Sequence, residues 1–238
     1  MKNGKLYVIA TPIGNLEDIT YRAVSTLKSV SFILAEDTRE SRKLLERYKV
    51  KTPLISYRDQ NHIQIMPKII EKLKMGLNLG LISDAGTPLI SDPGYKLVKE
   101  LRDLGYDVVS IPGASAVTSA LSISGLPTDK FIFFGFLPKS DTKRQKIIQQ
   151  YNDKGITIVV YESPNRLIKL LNLAGNILGY DCKCFLAKDI SKLREENIYG
   201  SIQNVLNTLT ERNFEKSPHG EFVCIFNNKE TKEKEENN

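Results

Sequence analysis

Four short stretches of this sequence place glycine, proline and small polar residues directly after apolar runs. They are ATPIGNLED (10–18), SDAGTPLISDPG (83–94), PGASA (112–116) and YESPNRL (161–167). Such residues let the backbone approach a ligand without obstruction by Cβ atoms, and free backbone amides can bind its polar groups. None of the four contains G-x-G-x-x-G or G-x-x-x-x-G-K-[ST], which excludes the common dinucleotide and triphosphate cradles. One such stretch alone is more often a tight turn, but four together favour a ligand site.

The apolar runs before these stretches alternate with helical patterns, which is typical of an α/β protein with largely parallel strands. The predicted strands are 5–10, 31–35, 53–57, 79–83, 107–111, 131–136, 156–162, 182–187 and 221–227. Apolar residues at helical spacing predict helices over 62–75 and 163–178. Because open α/β sheets bind ligands beyond the carboxyl ends of their strands, the four stretches are loops in the right place for a site.

Composition excludes several classes of protein. The chain has 238 residues, 41% of them apolar, which is incompatible with a disordered protein. No run reaches the roughly 18–20 apolar residues of a membrane span, and no leader precedes the first strand, so a cytoplasmic protein without a membrane partner is expected. Three cysteines and two histidines lack the spacing of a metal site, so no metal is expected. Cys182 and Cys184 are interpreted as packing residues.

Positive charge is concentrated rather than spread. The net charge of the whole chain is only +6, from 34 Lys+Arg and 28 Asp+Glu. Residues 38–51 hold six basic residues against Glu40 and Glu46, with Thr38 as a plausible helix N-cap. A second basic stretch, 137–146, has four basic residues against Asp141. A solvated helix surface would explain either, but clustered like charges favour an anionic partner, of which nucleic acid is the commonest.

The ordered motifs resemble a known family. LYVIATPIGNLEDIT, AEDTRESRKLL, SDAGTPLISDPG, PGASAVTSALSISGLP, FIFFGFLP and YESPNRL are similar, over about residues 5–227, to the ribosomal RNA small-subunit methyltransferase I family of tetrapyrrole-methylase-like enzymes. The resemblance implies two α/β domains with a cofactor cleft between them, not a Rossmann fold, and S-adenosylmethionine as cofactor. It also implies a homodimer that methylates a cytidine ribose 2′-hydroxyl in the decoding region of small-subunit (16S) RNA, free or in the assembled 30S subunit.

The resemblance assigns cofactor contacts to the loops that the residue pattern selects. The implied cofactor-binding residues are Pro12, Asp84, Ala85, Gly86, Thr87, Ser115, Ala116, Tyr161, Glu162, Gly220 and Glu221. A bent adenosyl group needs donors and acceptors for adenine, ribose and the amino-acid end around an apolar path for the methyl group.

The AEDTR segment supplies the candidate catalytic residues Glu36, Asp37 and Arg39. A ribose hydroxyl is a weak nucleophile, so a base or an oxyanion-stabilising cation would help its attack. Asp18 is a further candidate, and His62 a less favoured one. For Asp37 the alternative is a carboxylate that stabilises the first turn of a helix. The RNA-binding candidates are Arg39, Arg42, Lys43 and Arg47.

The chain is expected to divide at the SISGLPTDK connector into domains 1–121 and 122–228, followed by a disordered charged tail, 229–238. Two segments, KDISK (188–192) and YRDQNH (57–62), depart from the family pattern. Two alternatives remain open. A small-molecule methyltransferase of the same superfamily would keep the cofactor loops without needing the basic helix, and a non-catalytic RNA-binding protein would not need the loops.

Overall fold

The structure, a computed structural model, describes residues 2–152 and 154–227. The predicted tail 229–238 lies outside this range. The chain groups into two units, the first ending at Ser115 and the second beginning at Ala116. The sequence predicts a boundary after residue 121, whereas in the structure the helix that starts at Ala116 groups with the second unit. In the described residues no helix is long and apolar enough to cross a membrane.

The first unit contains five strands and four helices. The strands are β1 (Leu6–Ile9), β2 (Phe32–Ala35), β3 (Leu54–Ser56), β4 (Leu79–Ile82) and β5 (Val108–Ile111). The helices are α1 (Tyr21–Ser29), α2 (Thr38–Arg47), α3 (His62–Lys74) and α4 (Tyr95–Asp103), with a 3₁₀ turn at Leu16–Asp18. All strand pairs are parallel, in the order β3-β2-β4-β1-β5.

Each face of this sheet is covered by one pair of helices. Leu27 of α1 and Leu45 of α2 pack on one face, and Ile69 of α3 and Leu101 of α4 pack on the other. The middle strands are therefore buried on both sides, which explains their continuous apolar runs. Strand β4 lies between β2 and β1. Helix α4, which follows β4, covers one face of the sheet, whereas α1 and α2, which follow β1 and β2, cover the other. Such a change of direction between neighbouring strands opens a crevice at their carboxyl ends.

The second unit contains a mixed sheet. Its strands are β6 (Phe131–Phe136), β7 (Thr157–Glu162), β8 (Lys183–Lys188), β9 (Glu196–Ser201) and β10 (Phe222–Asn227). Its helices are α5 (Ala116–Ile123), α6 (Asp141–Gln150), α7 (Leu167–Leu178) and α8 (Ile202–Glu211), with 3₁₀ turns at Pro164–Arg166 and Phe214–Lys216. Helices α6, α7 and α8 share a core on one face, and α5 packs on the other.

The prediction of an α/β fold with two α/β domains is confirmed, but the expectation of largely parallel strands is wrong for the second unit. In the order β6-β7-β10-β8-β9, only β6 and β7 are parallel. An apolar run that is buried on both faces does not indicate strand direction. Strand β9, with the sequence ENIYGS, was not predicted because polar residues and Gly200 interrupt its apolar pattern; as an edge strand it pairs only with β8.

Candidate active site

Three loops of the first unit meet at the carboxyl ends of the neighbouring strands β4, β1 and β5. The loop after β1 pairs with the loop after β4 through two backbone bonds: Thr11 N–H to Gly86 O, 2.8 Å, and Gly86 N–H to Thr11 O, 3.1 Å. The Thr87 hydroxyl donates to the carbonyl of Ala114 in the loop after β5, at 3.1 Å. Sheet order thus joins three segments that are distant in the sequence.

Gly86 makes this close approach possible. Its φ of +81° is in the left-handed region, and an added Cβ would lie 3.2 Å from Cγ2 of Ile13. An L-residue in this conformation is strained, and its side chain would push against the loop after β1. Glycine at position 86 therefore allows the loops after β1 and β4 to pair closely.

The loop after β2 joins the same group. The Asp37 backbone N–H donates to Oδ1 of Asp84 at 3.0 Å, which links AEDTR to the loop after β4. The loop after β3 also reaches it, because Arg58 Nε donates to the Glu36 carbonyl at 3.0 Å. All five strands of the parallel sheet thus send residues to one connected surface. Pro12 is buried at this surface. Ser115 lies between Ala114 and the start of α5.

The Asp37 side chain is fully engaged in local structure. It is the N-cap of α2 and accepts the Arg39 N–H at 2.8 Å, so the expectation that Thr38 is the N-cap is wrong; Thr38 is the first helical residue. Arg39 Nη2 also contacts Asp37 Oδ2 at 2.9 Å. Hydrogen bonds from Arg39 hold the pKa of the Asp37 carboxyl well below its usual range. Such a carboxylate is a weak base, which favours the helix-stabilising alternative for Asp37.

Glu36 is in a different electrostatic environment. Burial, followed by the negative charges of Asp84 and Asp92, raises the pKa of Glu36 above its ordinary value of 4.5. The pKa of Asp92 is raised as well, mainly by burial. A carboxylate with a raised pKa accepts a proton more readily, so Glu36 has better chemistry for a general base than Asp37.

Sequence reasoning missed Arg58 and Asp92 as members of this group. Arg58 lies in the YRDQNH segment, which the sequence identifies as a departure from the family pattern, and Asp92 is in the second half of the loop 83–94. The other base candidates are placed elsewhere. Asp18 lies exposed in the 3₁₀ turn after β1. His62 is buried, with Nδ1 2.9 Å from the Tyr57 hydroxyl and Nε2 2.8 Å from Glu100 Oε2.

Helix α2 presents a basic surface that begins at the AEDTR loop. Its apolar stripe is buried through Leu44 and Leu45. Lys43 pairs with Glu40 at 2.8 Å, and Arg39 pairs with Asp37. Arg42 and Arg47 are exposed and form no ion pair within the described residues. The helix therefore keeps positive charge that its own acids do not neutralise.

The predicted residues of the second unit also lie together. Phe222, at the start of β10, is opposite Glu162, so Gly220 and Glu221 lie beside the end of β7. Tyr161 stacks edge to face on Phe133, with ring centroids 4.8 Å apart. Ala116 is the first residue of α5.

Glu162 is committed to an ion pair inside the second unit. Its carboxylate is buried and accepts from Arg166 Nε at 2.7 Å and Nη2 at 2.9 Å, and from the Ser163 backbone N–H at 2.8 Å. With these partners the side chain organises the turn between β7 and α7, and Glu162 as a whole is only 2% exposed.

The KDISK segment packs against the turn that contains Gly220. Asp189 N–H donates to the Glu221 carbonyl at 2.9 Å, and Glu221 N–H donates to Asp189 Oδ1 at 3.1 Å. Lys192 contacts the Glu221 carboxylate at 2.9 Å. Although segment 188–192 departs from the family pattern, its charged residues Asp189 and Lys192 both bind Glu221 in the neighbouring turn.

The sequence is similar to those of a known protein family. Residues 5–206 match the family described as Tetrapyrrole (Corrin/Porphyrin) Methylases. The ribosomal RNA small subunit methyltransferase I of Thermotoga maritima is 42% identical over 95% of this chain and 100% of its own. The Bacillus subtilis protein of the same name is 43% identical over 98% of this chain and 79% of its own.

Solved structures show the same fold at low sequence identity. Cobalt precorrin-4 methyltransferase matches with a TM-score of 0.66 at 15% identity, covering 94% of both chains. Uroporphyrin-III-C-methyltransferase from Thermus thermophilus matches with a TM-score of 0.61 at 16% identity, covering 96% of this chain and 93% of that one. From the matched family and the relatives at over 40% identity, the chain belongs to the tetrapyrrole methylase family, in the group of the ribosomal RNA small subunit methyltransferases I.

Proposed function

We propose that this protein methylates the ribose 2′-hydroxyl of a cytidine in the decoding region of small-subunit ribosomal RNA. Membership of the family makes it an S-adenosylmethionine-dependent methyltransferase. The observation that supports an RNA substrate is the position of α2. This helix begins two residues after Glu36, at the surface where the loops of all five parallel strands meet, and carries the exposed Arg42 and Arg47. We also expect a homodimer.

The residues of the first unit suit the cofactor. Asp84 and Ala85 are exposed on the loop after β4, while Thr11, Gly86 and Thr87 hold that loop to its neighbours. An exposed carboxylate beside small residues can accept hydrogen bonds from ribose hydroxyls or an ammonium group and leave room for an extended ligand. We therefore assign Pro12, Asp84, Ala85, Gly86, Thr87 and Ser115 to cofactor binding, with Ala116, Tyr161, Glu162, Gly220 and Glu221 from the second unit.

When bound, the cofactor supplies an electrophilic methyl group on a positively charged sulfur. The protein residues have to align a ribose oxygen with that methyl group and exclude water, since charge is neutralised rather than created in the transfer. Glu36 takes the proton of the 2′-hydroxyl as the new bond forms, and Arg39 holds the Asp37 carboxylate at the N-cap of α2. Arg58 orients the loop by binding the Glu36 carbonyl.

Charge reversal on α2 separates RNA binding from cofactor binding. The double variant Arg42→Glu/Arg47→Glu is expected to bind small-subunit RNA more weakly and with a smaller salt dependence, while its affinity for S-adenosylmethionine stays unchanged. Each lost phosphate contact should reduce the slope of log K against log salt by about 0.7–0.9. Filter binding over a salt series measures the RNA affinity and its salt dependence, and calorimetry measures the affinity for S-adenosylmethionine.

A matched control places the same charge change near the amino ends of the strands, away from the loops at their carboxyl ends. Lys28 and Lys74 are exposed in the last turns of α1 and α3, so Lys28→Glu/Lys74→Glu should bind RNA like the wild type. If the two double variants lose RNA affinity equally, the α2 surface is not specific. If neither loses it, a small-molecule substrate becomes the better proposal.

A further inference from the structure

Strand β6 of the second unit carries an exposed aromatic ring that has no part in the proposed reaction. Phe136, the last residue of the strand, is 59% exposed although it is large and apolar. Its ring stacks edge to face on Tyr161, with centroids 5.6 Å apart, and Tyr161 stacks in turn on Phe133. The three rings form a platform whose outer member is open.

A β-bulge places Phe136 on this platform. Phe133 pairs with Val159 and Phe136 with Tyr161, so β6 advances three residues while β7 advances two. In a regular strand without this bulge, Phe136 would point to the other face of the sheet, where Phe134 packs under α6 and α7. Gly135 makes the bulge possible because its φ is +61°. Bulges commonly redirect a side chain next to a functional site.

The connection after the platform is held rigidly. Arg166 Nη2 donates to the Leu137 carbonyl at 3.0 Å, and Arg144 Nε donates to the Pro138 carbonyl at 2.8 Å. Arg144 is buried, so its role is to fix this backbone. A fixed connection holds Phe136 and the first turn of α6 in one geometry, which lowers the entropic cost of binding.

Positive charge follows the platform directly. Lys139, Lys143 and Lys146 are exposed and form no ion pair in the part of the chain that the structure describes, while Asp141 is neutralised by Lys169 at 2.7 Å. An open aromatic ring beside unpaired lysines is the combination that binds single-stranded nucleic acid, where bases stack on rings and lysines contact phosphates.

We propose that the end of β6 and the start of α6 bind an unpaired nucleotide of the RNA substrate, with its base on Phe136 and its phosphates on Lys139 and Lys143. This inference rests on the proposed function, because it assumes an RNA substrate. It adds a second RNA contact, in the second unit, to that of α2.

The test uses the full protein and a single-stranded RNA from the decoding region that carries 2-aminopurine, whose fluorescence falls on stacking. Phe136→Ala should weaken RNA binding by about 5- to 150-fold and abolish the fluorescence change, since a stacked base contributes that much to affinity. Phe136→Tyr keeps a ring and should retain both the RNA affinity and the fluorescence change.

The lysine contacts are tested separately. Lys139→Gln/Lys143→Gln should keep the fluorescence change and lower the salt slope by roughly 1.4.

Phe131 provides the matched control, because it is an exposed phenylalanine, 46% accessible, at the other end of the same strand. Phe131→Ala should bind RNA like the wild type. The inference is wrong if Phe136→Ala binds RNA normally, or if it loses cofactor affinity or a dimer contact instead. Wild-type protein that binds neither the RNA nor the assembled small subunit would refute the proposed function itself, a result distinct from either of these.

Discussion

Glu36→Gln is expected to lower kcat for RNA methylation by about 10²–10⁴-fold, the usual contribution of a general base. The glutamine side chain has the same shape but cannot accept the proton of the 2′-hydroxyl. Single-turnover methyl transfer at saturating cofactor and RNA measures the effect, and affinity for both should stay near that of the wild type.

Two further measurements distinguish loss of a base from loss of structure. Burial and the charges of Asp84 and Asp92 raise the folded-state pKa of Glu36 above that of the unfolded chain, so ionised Glu36 destabilises the fold at pH values above its pKa. Glu36→Gln should therefore be at least as stable as the wild type at neutral pH. The wild-type rate should also fall as the pH decreases through the raised pKa of Glu36, and the variant should lose this dependence.

Glu46→Gln serves as the control, because Glu46 is an exposed carboxylate on α2. Its kcat should match that of the wild type. If Glu36→Gln retains the wild-type kcat, Glu36 is not the base and Asp18 becomes the candidate to test.

Gly86→Val is the second change with a large expected effect, here on cofactor affinity. Valine at a φ of +81° is strained by about 1–2 kcal/mol or more, and its side chain would displace Ile13 in the loop after β1. The pairing of Thr11 with Gly86 would then open. We expect at least a tenfold loss of S-adenosylmethionine affinity, since about 1.4 kcal/mol corresponds to a factor of ten. Isothermal calorimetry measures it.

Gly105→Val separates this effect from general strain. Gly105 has a φ of +77° but nothing within 4 Å of an added Cβ, and it follows α4, away from the loops. Both variants should lose stability in thermal unfolding through backbone strain, but only Gly86→Val should lose cofactor affinity. Equal losses of affinity in the two variants would mean that Gly86 has no specific role.

Much of the first unit could be predicted because its signals are local. The apolar runs at β1, β2, β4 and β5 are short, and the loops that follow β1, β4 and β5 contain glycine and proline. Once a parallel sheet is inferred, the carboxyl ends of its strands must lie at one edge. The loops could therefore be grouped into a site without knowledge of the strand order.

The missed features depend on contacts between distant residues. Arg58 reaches Glu36 only because β3 lies beside β2, and Asp92 is partly buried only because the loop after β4 folds back on itself. The side of the sheet on which Phe136 lies is set by one extra residue in β6, which an alternating pattern does not reveal. For the N-cap, Asp37 and Thr38 are both suitable residue types, and only the backbone conformation distinguishes them.

The most direct test of the proposed function is mass-spectrometric mapping of ribose methylation in small-subunit RNA from cells with and without the protein. We predict that one cytidine of the decoding region loses its 2′-O-methyl group when the protein is absent. We also predict that the methyl group returns with the wild-type protein but not with Glu36→Gln. An unchanged methylation map in cells without the protein would contradict the proposal.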